Sequence, residues 1–489
     1  MTKRQSRRTF LKLSALLSGA TLTQPLQALS INDPWSLRRG APQKVLILGA
    51  GVSGMSAAIE LRALGHHVTV LEGQLRAGGR IRTQREGFAN GLYADMGAAR
   101  IPEDHEWTMK YINKYGLKLH PFNPAKGKYL HMMAGKRIDY TATTPAPLSE
   151  YPTKLTAKEL EMGWGGISTT PFGKIMSQVG DPKDLAWPPS EIAGFDKYSF
   201  KEYLQAEGYS PSIADVLMVG WETNKGMGMS MLELIRELNL SFGATRNKIV
   251  GGNDLLPTRM AEELSGLIQY GTKVLDVRQD ESGVEVTVSR NGERSTLSAD
   301  RVICGFPLTI VKKMGFLKSL SPAKQKAINE MTYWDLSRTA MQVDDRYWKK
   351  DGYNGFAATD LPSEIWDPNY EVDSQRGLIA AYLKNDDSQK IADWSADERL
   401  KYSAKHVNDV FPGLDDHLEG GVTKCWKEDP WALGAHSIGT RGQMTGVLPE
   451  LIKPEGRIHF AGEHASAYHG WIQGAIESGN RCAKEVNSF

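Results

Sequence analysis

The chain has 489 residues, 40% apolar and 24% charged, with a formal net charge of +2. That length suits two to four domains and a core large enough to need no staples. The composition excludes a disordered chain, three cysteines exclude a dense disulfide framework, and the near-neutral charge argues against a nucleic-acid binder driven by a basic surface.

Lys3, Arg4, Arg7, Arg8 and Lys12 precede a short apolar stretch from Leu13 to Leu22, too short to cross a bilayer. The segment Ser6-Arg7-Arg8-Thr9-Phe10-Leu11-Lys12 resembles a twin-arginine export signal. Residues 1–30 are therefore expected to be a signal peptide read by the twin-arginine translocation machinery, with cleavage after Ala28 and a periplasmic or secreted product. That route carries folded proteins, which hints at a tightly bound cofactor and fits a chain that needs no disulfides. The segment holds five of the 59 basic residues and no acidic one, so 54 face 57 acidic residues in the remainder, a formal −3.

Residues 31–43 read as an unstructured lead-in, and Lys44–Gly49 as a short buried strand. A helix follows from Ser53 to Leu64, then a second strand from Val68 to Leu71, together a βαβ opening. Prolines cluster over 141–152 and 181–189. A more helical stretch follows, including Phe200–Glu207 and Met231–Leu240. Strand signals return at Val274–Val277 and Val284–Val288, with Asn291-Gly292 as a hairpin turn, and at Arg301–Cys304. A last strand, Arg457–Phe460, feeds a helix from Ile472 to Val486.

Gly49-Ala50-Gly51-Val52-Ser53-Gly54 fits G-x-G-x-x-G between a strand and a helix, the context that makes the pattern credible for a dinucleotide. Gly49 permits the turn, Gly51 admits a pyrophosphate to the backbone, and Gly54 allows close helix–strand packing. Glu72 ends the second strand, where a carboxylate accepts hydrogen bonds from ribose hydroxyls. This alone does not separate NAD from FAD. Gly78 and Gly79 bring backbone close to the cofactor, and Arg80 offers a partner for phosphate. The late strand-to-helix turn from Phe460 to Ala475 aims a helix N-terminus at the ring that gains charge on reduction.

These three segments resemble the flavin-dependent amine oxidase superfamily, and most closely the L-amino-acid oxidases, from about Lys44 to Val486. The resemblance implies the amine oxidase fold: an α/β Rossmann-like FAD-binding domain (40–100, 244–325 and 447–489), a mixed-sheet substrate domain (101–139 and 326–446) and a helical insertion (140–243). It implies non-covalent FAD, because the stretch Trp431–His436 has no cysteine. FAD contacts are implied at Gly49, Gly51, Ser53, Gly54, Glu72, Gly79, Arg80, Val274 and Glu463. They extend to the loop residues Met96, Gly97, Ala98 and Arg100 and the backbone at Trp471, Ile472 and Gln473.

The same resemblance assigns the substrate site. Arg100 matches the arginine that holds a substrate carboxylate bidentately, and Tyr382 the tyrosine that bonds the same carboxylate. Trp431 and Trp471 are implied as aromatic walls beside the flavin, and Gly470 offers its carbonyl to the substrate amine. Arg338 stands where relatives carry a lysine near flavin N5; arginine is no base, which puts lysine-dependent oxygen activation in doubt. Glu233 and Glu237 could face the pocket and pair with a basic substrate, or lie on a solvated helix face. No histidine cluster has metal-ligand spacing.

The implied reaction is oxidative deamination of an L-amino acid to a 2-oxo acid and ammonium, by hydride transfer from Cα to the flavin. Hydrogen peroxide forms where oxygen is the electron acceptor. Three alternatives stand beside it: an oxidase of amines without a carboxylate, an exported dehydrogenase passing electrons to a quinone, and a non-catalytic flavin carrier. The sequence leaves the preferred side chain open, and a homo-oligomer is compatible with it.

Overall fold

The computed structural model describes residues 40–184, 186–220, 228–241 and 244–489. The twin-arginine segment lies outside the described residues. Strand β1 (Lys44–Leu48) is buried beyond its first residue, as a strand covered on both faces must be. Helix α1 (Val52–Ala63) buries nine of its twelve residues, mostly small ones, and leads to strand β2 (His67–Leu71). Helix α2 (Met231–Leu240) is capped by Ser230, whose hydroxyl accepts the Leu232 N–H at 3.1 Å. Strands β3 (Ile268–Gln269) and β4 (Arg301–Cys304) follow. Then come β5 (Leu336–Val343), β6 (Glu364–Trp366), β7 (Gly377–Lys384), β8 (Ile458–Phe460) and helix α3 (Ile472–Asn487).

One sheet is parallel, in the order β3-β2-β1-β4-β8, with β1 at its centre. Helix α3 packs along α1, and the contact requires glycine: a Cβ on Gly479 would sit 2.1 Å from the Ser53 carbonyl oxygen. Ser56 fastens the pair by donating its hydroxyl to the Ile476 carbonyl at 3.2 Å. The second large sheet has seven strands, in the order Leu418–Cys425, β5, β7, β6, Tyr353–Thr359, Lys128–Met133, Lys136–Thr141. It is mixed, because Tyr353–Thr359 and Lys128–Met133 run parallel while the other neighbours are antiparallel. The hairpin predicted at Asn291-Gly292 is present, with both residues at positive φ, as a type I′ turn demands. The helices between residues 148 and 240 close over their own apolar cluster, which includes Phe172, Tyr203, Leu232 and Ile235. This is the amine oxidase fold. Among the described residues, no helix is long and apolar enough to cross a membrane.

Candidate active site

A cavity of about 630 Å³ runs from the β1–α1 turn to the mixed sheet. Of the residues singled out from sequence, all but Gly54, Glu233 and Gln473 line it. Gly54 packs instead: a Cβ there would lie 2.1 Å from the Gly49 carbonyl oxygen, which is the helix–strand closeness expected of it.

Two helices point their N-termini into this space. Neither α1, capped at Gly51, nor α3, capped at Trp471, has a side chain bonding its first-turn N–H groups, and both ends line the cavity. Uncapped N–H groups there are ready for an anion. The space beyond Gly51 is open, since its missing Cβ would meet nothing nearer than the Ser53 hydroxyl at 4.0 Å. These features fit a dinucleotide diphosphate. Glu72 ties the turn down by accepting the Ala50 N–H at 2.8 Å and the Gln74 N–H at 2.7 Å. Burial pushes its carboxyl up despite those bonds.

Arg80, expected against phosphate, spends one guanidinium nitrogen on Glu463 at 2.7 Å and the Ala435 carbonyl at 2.8 Å. Glu463 also accepts the Ser437 hydroxyl at 2.6 Å and the Gly470 N–H at 2.8 Å. Burial raises its carboxyl, but Arg80, the neighbouring His464 and His436 and the Ser437 hydroxyl together outweigh burial and hold it well below the usual range. The pair therefore fixes the turn that leads into α3.

Two expectations are corrected by the packing. The Trp431 ring lies against Gly73, where an added Cβ would fall 2.1 Å from the indole, so it stands at the Glu72 end of the cavity rather than beside Trp471. The turn places it there: the Trp431 N–H donates to Asp429 at 2.9 Å, and Leu433 takes a positive φ. His436 and Trp426 also line the cavity. His436 abuts Gly470, and Trp426 donates its indole N–H to the Met96 carbonyl at 2.8 Å. Gln473, expected at the flavin through its backbone, does not line the cavity, and its side chain faces away. Its carbonyl accepts the Trp107 N–H at 3.1 Å and the Thr108 N–H at 3.0 Å, capping the helix Glu106–Lys114.

At the far end the mixed sheet supplies the chemistry. Arg338, Tyr382 and Glu364 are direct cross-strand partners on β5, β7 and β6, so their side chains form a row on one face. Lys384, two residues beyond Tyr382, shares that face. The Arg100 guanidinium stacks over Phe122 at 4.6 Å and Trp366 at 5.3 Å and is ion-paired with Glu364. Lys384 reaches the other Glu364 oxygen at 2.8 Å. Burial pushes the Glu364 carboxyl up, but Arg100 and Lys384 together hold it far below the usual range. Arg338 donates to the carbonyls of Asp95 and, at 2.8 Å, Gly97, pinning the loop that carries Arg100. Arg246 also lines this end, its guanidinium pushed down to about 10 by burial and by the charge of Arg100.

Helix α2 closes the wall. Glu237 lines the cavity and accepts the Trp471 indole N–H at 2.9 Å, with its carboxyl pushed up to about 7 by burial. Glu233 does not line it; Arg236 at 2.6 Å and His469 at 3.2 Å hold it behind the wall. Sequence reasoning missed Glu364, Lys384, Arg246, His436 and Trp426. Only Lys384 carried a usable signal, its two-residue step from Tyr382 along a strand.

The pattern of the flavin containing amine oxidoreductase family matches residues 52–487. An L-amino-acid oxidase of Vipera ammodytes ammodytes is 32% identical over 463 residues, covering 91% of this chain and 93% of the relative. L-amino acid oxidase Bs29 of Bothriechis schlegelii is 31% identical over 461 residues, covering 91% and 90%. Wild-type putrescine oxidase bound to putrescine has the same fold, with a TM-score of 0.76 at 22% identity over 92% of this chain and 99% of that one. Together with a cavity that fits a dinucleotide, the family match defines a flavin-containing oxidoreductase. The chain belongs to the flavin containing amine oxidoreductase family, and FAD is its cofactor.

Proposed function

We propose that the enzyme oxidises free L-amino acids to 2-oxo acids and ammonium. The observation that carries this reading is a guanidinium, Arg100, in the wall of the chamber beside Tyr382. Bound FAD supplies the two-electron acceptor for the Cα hydride. Arg100 binds the substrate carboxylate, and the Tyr382 hydroxyl donates to it, which fixes the direction in which Cα–H points. The Gly470 carbonyl accepts from the α-amine. Trp471, braced by Glu237, walls the chamber and excludes water. None of Cys304, Cys425 and Cys482 lines the cavity, which supports a non-covalently held FAD.

Relatives named as L-amino-acid oxidases, at 31–32% identity, support the same reading. A second reading concerns the acceptor. The Arg338 head is engaged by two backbone carbonyls and supplies no base, which argues against lysine-type oxygen activation and leaves a quinone beside oxygen as the acceptor. Export by the twin-arginine route is part of the proposal and rests on Arg7-Arg8 in residues 1–30.

An anaerobic screen of the twenty amino acids, following bleaching of the flavin absorbance, tests the function. Bleaching by L-amino acids supports it. A flavin that stays oxidised with all twenty, or that is bleached only by amines lacking a carboxylate, overturns it. Admitting oxygen afterwards and assaying peroxide identifies the acceptor.

A further inference from the structure

Arg100 does not stand alone in the chamber. Its guanidinium is already paired with the Glu364 carboxylate, the group that a substrate carboxylate would have to displace or share. An arginine–glutamate pair is neutral, and a neutral pair gives an incoming carboxylate no net attraction. Lys384 changes that balance. Its ammonium lies 2.8 Å from the second Glu364 oxygen and donates to the Gly220 carbonyl at 2.6 Å, so it is fixed in the wall. The three side chains are all largely buried, where the loss of water makes their mutual charges count.

We propose that Glu364 and Lys384 are positioning residues which, with Arg100, form a cluster of net charge +1 that admits a carboxylate and turns away amines lacking one. This rests on the amino-acid reading given above and names the groups that set the substrate class. Glu364 locks the guanidinium on one side while Phe122 and Trp366 hold its faces, leaving the remaining donors for the substrate. Lys384 balances the Glu364 charge, so the positive charge of Arg100 remains available. Register sets the arrangement: Glu364 is the cross-strand partner of Tyr382, the residue expected on the same carboxylate. Around the cluster, Arg246 and Arg338 add positive charge, and the carboxylates of Glu237 and of Glu463, which is paired with Arg80, also line the cavity.

The two positioning residues have opposite signatures. Lys384→Met leaves a neutral Arg100–Glu364 pair. KM for amino acids should rise about tenfold with kcat little changed, and the preference for an amino acid over its decarboxylated amine should narrow by a similar factor. Glu364→Gln raises the cluster to +2 and frees the guanidinium, so the preference should persist while kcat falls. The double variant Lys384→Met/Glu364→Gln returns the net charge to +1 and should restore the preference lost in Lys384→Met. The FAD-loaded variants are compared on matched pairs, L-leucine with 3-methylbutylamine and L-phenylalanine with 2-phenylethylamine, by anaerobic flavin reduction. A merely structural role would lower the rates for both members of each pair alike. An unchanged preference in Lys384→Met, or no restoration in the double variant, overturns the proposal. If the wild-type enzyme itself reduces its flavin only with the amines, it is the amino-acid reading that fails. If Lys384→Met does not retain FAD, Glu364→Gln and the double variant decide the matter by the same comparison.

Discussion

Arg80 meets Glu463 at 2.7 Å across 383 residues of sequence, and that ion pair joins the Gly78-Gly79 segment to the turn that leads into α3. Glu463 is buried and ionised, and it also holds Ser437 and the Gly470 N–H. Arg80→Leu strands this carboxylate, and losing one partner of a buried pair costs about 3–5 kcal/mol. Denaturant unfolding should show a loss of that size, together with weakened FAD retention. A variant as stable as wild type would mean that the pair is solvated in solution.

Removing the carboxylate-binding guanidinium tests the substrate assignment directly. Arg100→Ala should lower kcat/KM for the best amino acid by about 2–5 kcal/mol, on the order of 30- to 5000-fold, with FAD still bound. Steady-state kinetics on flavin-saturated enzyme make the measurement. An unchanged kcat/KM sinks the assignment.

The buried carboxyl of Glu237 makes stability depend on pH. Burial raises it from an ordinary 4.5 to about 7, so between those values the folded state holds a proton that the unfolded state has released. Folding stability from this group is therefore greatest below about pH 4.5 and declines as pH rises through 7. Glu237→Gln keeps an acceptor for the Trp471 N–H and removes the titration. The variant should gain stability relative to wild type at pH 8 compared with pH 5, as read by denaturant unfolding. An equal difference at both pH values would show that the carboxyl titrates normally.

Trp431 rests on Gly73 and is 37% exposed, so its loss should act on the cofactor. Trp431→Ala should weaken FAD binding by about 0.5–1.5 kcal/mol, roughly two- to tenfold, and leave the amino-acid KM close to wild type at saturating FAD. Equilibrium dialysis and kinetics separate the two effects. A raised KM with normal FAD retention would place the ring back at the substrate end.

The parts of the molecule legible in the sequence are those written locally. The βαβ opening, the Asn291-Gly292 hairpin, helix Met231–Leu240 and the late strand and helix depend on short-range pattern, and they are found where expected. Arg100 and Tyr382 were legible because each sits in a distinctive run. Glu364 and Lys384 were not: their meeting with Arg100 depends on the register of β6 against β7 and on a loop 264 residues away. Trp431 was misread for a related reason, and Gln473, expected through its backbone, lies outside the cavity. One step along a helix turns a side chain by about 100°, and one tight turn reverses a loop, so neighbours in sequence face different sites.

The parallel sheet also sets an order of assembly. Its central strand is made first, among the earliest of the described residues, while β8 and α3 come from the last thirty or so. The groove between α1 and α3 cannot close until the ribosome has passed Ile472, because the Gly479–Ser53 contact and the second anion-binding helix end do not exist before then. A chain stopped short of α3 therefore lacks the second of the two uncapped helix ends. A chain shortened before Ile472 should retain less flavin than the full one, a loss that its absorbance would show.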